Sequence, residues 1–79
     1  MSQNDRVAQL LGDAEKMIEA SWECFSNGWK KTAQKFVGLA VHLMEQAAEL
    51  DPDAEAPAWS SVKEALDRFE ARKAALIGK

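Results

Sequence analysis

Apolar residues recur at helical spacing through almost the whole chain, and only two stretches break the pattern. The first is Ser26-Asn27-Gly28, where glycine can take the left-handed conformation that closes a helix. The second is Asp51-Pro52-Asp53-Ala54-Glu55-Ala56-Pro57, whose two prolines cannot lie inside a helix. These breaks predict helices over about residues 4–27, 29–50 and 57–77, with Pro57 in the first turn of the third and Gly78 at its end. The first connection is so short that helices one and two must form an antiparallel hairpin. No stretch alternates as a strand would. The expectation is a single all-α domain over residues 1–79, an up-down-up antiparallel three-helix bundle.

Each helix has one apolar side. In helix one the inward set is Val7, Leu10, Leu11, Ala14, Met17, Ile18, Cys24 and Phe25, with Trp22 at the edge. In helix three it is Trp59, Val62, Ala65, Leu66, Phe69, Leu76 and Ile77. Helix two carries Trp29, Phe36, Leu43 and Leu50 at intervals of seven, beside a row of Ala33, Ala40 and Ala47 that would let a neighbour approach closely. Its stripe centres between Leu43 and Ala47, and helix two is expected to touch both other helices. Val41 and Ala48 then fall on the flank of this stripe, next to Gln34. Either they complete the packing against helix three, or they floor a shallow groove between helices two and three that receives another helix.

The totals narrow the function. A chain of 79 residues is near the lower limit for one self-sufficient core. A net charge of −3 argues against nucleic acid, which needs a basic surface. No apolar run approaches the roughly 20 residues of a membrane span, and the polar start MSQNDRVAQLL does not read as a signal peptide. The single cysteine forms no internal disulfide and fits a reducing, cytoplasmic setting.

Chemistry is hard to find in these residues. His42 projects to the polar side of helix two without an orienting partner, as a solvated surface histidine would. Its neighbours Leu43-Met44-Glu45 also lack the surroundings of a phosphotransfer histidine. Cys24 reads as a small buried hydrophobe, since Glu23 beside it is the wrong charge for a nucleophile. Asp51, Asp53 and Glu55 imitate a calcium loop, but Ala56 and Val62 stand where glycine and a bidentate glutamate belong, so no metal site is expected. The acids then read as a solvated connection. Lys30, Lys31 and Lys35 crowd the start of helix two against its dipole, and are expected to offset Glu19 and Glu23. Trp22, Trp29 and Trp59 read as caps on the bundle ends, with partner anchoring as the lesser alternative. The chain is expected to be non-enzymatic and to need no cofactor.

Two stretches carry a family resemblance. The end, LDRFEARKAALIGK, sets out Leu66, Asp67, Arg68, Glu70, Lys73 and Leu76 in a pattern similar to the third helix of the MIT (microtubule-interacting and trafficking) domain. Trp29 followed by Ala33, Ala40 and Ala47 resembles the second helix of the same family, and the likeness covers about residues 14–79. NGWKKTA has one residue too many for it, the second connection is short, Phe69 replaces a common alanine, and helix one offers only Ala20. The alanine spacing and the ending AAELDP also resemble a tetratricopeptide hairpin, though helix two is about two turns too long and no second repeat follows.

The MIT resemblance implies an adaptor that binds the helical tail of another protein between helices two and three. Val41, Ala48, Val62, Leu66 and Phe69 would line that groove, and Glu45, Glu64 and Asp67 would pair with a basic peptide. The alternative expectation is a self-associating structural or secretion-chaperone-like subunit, a homodimer formed through the same leftover surface.

Overall fold

Left-handed backbone at Gly28 (φ 85°) ends the first helix. The Gly28 amide donates to the Phe25 carbonyl at 3.1 Å and the Trp29 amide to the Cys24 carbonyl at 2.8 Å. Those two bonds make a Schellman closure, which satisfies carbonyls the helix itself leaves unpaired. Trp29 is at once the N-cap of the next helix, its carbonyl accepting from the Ala33 amide at 2.9 Å. The chain therefore reverses within three residues. The computed structural model describes residues 3–77 as three helices, α1 (Gln3–Ser26), α2 (Lys30–Leu50) and α3 (Ala58–Ile77). All six helix ends fall within one residue of expectation. Gly78, and the side chains of Leu76 and Ile77, lie outside what the structure describes.

The second connection is held by one side chain. Asp51 Oδ1 accepts from the Glu55 amide at 3.1 Å, and Oδ2 accepts from the Ala56 amide at 3.0 Å and from Trp59 Nε1 at 2.8 Å. The clasp also contains Ala54 in the left-handed region (φ 53°), a conformation that costs an L-residue about 1–2 kcal/mol. Asp51, expected to be part of a solvated loop, instead ties the end of α2 to the start of α3. Its oxygens are taken by N–H donors, as a calcium ligand's would not be. The backbone bond from Ala56 leads the pull of its pKa below the ordinary 3.8, against some desolvation, with Glu55 and Trp59 adding to it.

The core follows the expected faces. Val7, Leu10, Leu11, Ala14 and Ile18 of α1, Ala40 and Ala47 of α2, and Val62, Ala65 and Phe69 of α3 form one buried cluster. Ser21, fully buried, donates to the Ile18 carbonyl at 2.7 Å and so brings no unpaired hydroxyl inside. Trp22, Phe25 and Phe69 meet with ring centroids 6.1–6.3 Å apart, and Arg72 lies 5.4 Å over the Trp22 ring. Asn4 and Ala8 share a hollow with Ala56 and Ala58, so α3 runs parallel to α1. The bundle is up-down-up and elongated, 44 × 19 × 14 Å.

The order of the rods differs from expectation. The central helix is α1: it packs on α2 and on α3, while no described Cα of α2 comes within 8 Å of one of α3. The three alanines of α2 form the line of deepest burial, and Phe36, Leu43 and Leu50 are only half-buried beside it. Trp29, expected in the inward stripe, is 60% exposed. The reason is geometric. Alanine alone lets two helix axes approach closely, so α2 presses its alanine row onto α1 and turns its larger side chains to both flanks.

Candidate functional site

The gap between α2 and α3 is lined. At the end near the first turn, a hollow of about 280 Å³ is bounded by Phe25 of α1, by Lys30, Ala33, Gln34 and Val37 of α2, and by Phe69, Glu70 and Lys73 of α3. This lining identifies which flank of α2 looks toward α3. The same flank continues at helical spacing through Val41, Met44 and Ala48, about 40–100° round from the alanine row. Val41 is 42% exposed there, and Ala48 is exposed. The two positions do not complete packing against α3.

The other expected groove residues divide. Leu66 is half-buried and falls by helical spacing between Glu70 and Lys73, the two residues of α3 that reach the hollow from this side, whereas Asp67 is exposed about 60° beyond Glu70. Phe69 is 6% exposed and walls the hollow from the core side. Val62 is completely buried, so it supports the groove from beneath. Glu45 is exposed one turn after Val41. Glu64 shares a flank with Arg68, whose Nε donates to the Glu64 carbonyl at 3.4 Å. Arg68 lines a different cavity of about 270 Å³, with Ile18, Trp22 and Arg72, on the far side of α3. Helical spacing therefore turns Glu64 away from the α2–α3 gap.

Seven of the eight lining residues were not among those expected in the groove: Phe25, Lys30, Ala33, Gln34, Val37, Glu70 and Lys73. The spacing 30, 34, 37, 41 was present in the sequence, but it gains meaning only once the side of α2 that meets α3 is known. Among the described residues Lys30, Lys31 and Lys35 enter no ion pair, so they do not bridge to Glu19 or Glu23. They stand at a helix start that has no acid in its first turn and no side-chain cap. Lys30 and Lys31, in the first turn, each cost about 0.3–1 kcal/mol at low salt.

The remaining chemistry-bearing side chains are quiet. Cys24 is a buried free thiol. His42 is exposed, its Nε2 3.0 Å from Gln46 Nε2. Trp22 and Trp59 are engaged by Arg72 and Asp51 respectively, whereas Trp29 and Leu39, at 60% and 52% exposure, stand in the open. Leu39 lies with Phe36 and Leu43 on the flank of α2 opposite Val41. No described helix is long and apolar enough to cross a membrane.

Compared with family models, curated proteins and solved structures, the chain matches none.

Proposed function

We propose that this chain is a non-enzymatic interaction module that takes a partner helix along the groove between α2 and α3. One observation carries the reading: Val41 is 42% exposed on the flank of α2 that faces α3, across a gap wider than 8 Å between Cα atoms. An apolar residue at such a position is a natural anchor for a helix laid into the gap. Ala48 and Leu66 extend the apolar floor, and Glu45 and Asp67 supply charge along its edge. The likeness of the second and third helices to MIT domains favours the same groove. A module of this kind binds at micromolar strength, around −8 kcal/mol, through a few buried anchors. The proposal includes a reducing, cytoplasmic setting, in which Cys24 stays a thiol.

A second reading is self-association through the opposite flank of α2, favoured by the exposure of Leu39 beside half-buried Phe36 and Leu43. One experiment addresses both. Wild type and Val41→Glu are used in parallel for affinity capture, with circular dichroism and sedimentation over a concentration series. The exposed position predicts a change in stability within about 0.5 kcal/mol. The groove reading expects co-purifying partners to be lost about tenfold or more while the variant stays folded and wild type sediments as a monomer. Undiminished capture by a folded variant defeats it, and a mass that doubles with concentration favours the second reading.

A further inference from the structure

We propose that the partner helix carries acidic residues beside its anchoring apolar side chain, and that this anchor seats between Phe25, Ala33, Val37 and Phe69 under Lys30 and Lys73. The inference rests on the groove reading above and adds to it a charge sign and a docking point. At about 280 Å³ the hollow is smaller than most small-molecule sites and suits a side chain. Its floor is apolar and its rim holds two lysines against one acid, Glu70.

The surrounding end of the bundle has the same sign. Lys30, Lys31, Lys35, Arg68, Arg72 and Lys73 gather there with Glu19, Glu23 and Glu70, although the whole chain has a net charge of −3. The free amides at the start of α2 add their own partial positive charge. Farther along the groove, at Glu45, the sign reverses. A uniformly basic tail, as the resemblance to MIT domains implied, suits only that second half. Lys30 and Lys31, set against the dipole in a first turn without an acid or a side-chain cap, are a standing cost in the free protein, and carboxylates on an incoming helix would relieve it.

The test uses the full chain and two helix-forming synthetic peptides, identical except that glutamates or lysines flank a central leucine. Fluorescence anisotropy is measured on wild type, on Lys30→Glu/Lys73→Glu, and on Val37→Glu and Val41→Glu. The glutamate peptide is expected to bind wild type about tenfold more tightly at low salt, with the advantage shrinking near 0.5 M. The double lysine variant should reverse the preference. Its fold is not at risk from Lys30→Glu, since an acid suits the start of α2. Equal or tighter binding of the lysine peptide, abolished by Val41→Glu, overturns the acidic partner and leaves the groove reading standing. Binding that survives both valine changes removes the groove reading and this inference together. Failure of both peptides at millimolar concentration also overturns the inference.

Discussion

On its α2 side the α1–α2 seam is made from Ala33, Ala40 and Ala47, each 3% exposed or less. The α1–α3 seam is made from Trp22, Phe25 and Phe69, with Val62 and Ala65 beneath. Methyl groups let two rods come close along a narrow line, whereas rings hold them a side chain's width apart. The narrow seam leaves most of the circumference of α2 uncovered. The wide one keeps α3 from leaning across to close the gap. The open flank with Val41 thus arises from the contrast between the seams.

Truncating the ring that both cavities share should be the most damaging change. Phe69→Ala is expected to cost about 3–5 kcal/mol, a large part of the roughly 4–12 kcal/mol a chain of this size holds. Urea titration followed by circular dichroism at low temperature measures it. A loss under about 1 kcal/mol would mean that α3 is not held by its aromatic contacts. Next in size is Ala40→Leu, which forces a larger side chain into the closest approach. About 1–3 kcal/mol should be lost in the same titration. A neutral result would mean that the alanine row is not a tight seam, and the account of the open flank would fall with it.

The smallest effect concerns the clasp that orients α3. Because the folded-state pKa of Asp51 lies below the ordinary 3.8, its stabilisation is present above that value and is lost as pH falls through the lowered one. The quantity to compare is the difference in stability between wild type and Asp51→Asn. That difference should shrink as pH drops below 3.8 and stay level above it. A difference independent of pH would show that the carboxylate charge contributes nothing to holding α3.

Most of the fold could be read from residue order. Gly28 and the prolines end and start helices by rules that act over three or four residues, and the apolar faces follow from a fixed turn per residue. The site was legible only in part. Val41 and Ala48 stood out as surplus, and both are exposed. Glu64 was assigned to the groove and lies on the other flank of α3, because one residue of rotation moves a side chain by about 100°. The Asp51 clasp was missed because its third donor, Trp59, belongs to the next helix.

The amino-acid order alone decided how many rods there are, where they end and which side of each avoids water, since those follow from backbone geometry and burial within a few neighbours. Tertiary structure decided that α1, not α2, stands in the middle, and that Lys30 and Lys73 share one hollow. The physical reason is that a helix's apolar side does not specify its neighbour. That choice depends on how closely each pair of surfaces can approach.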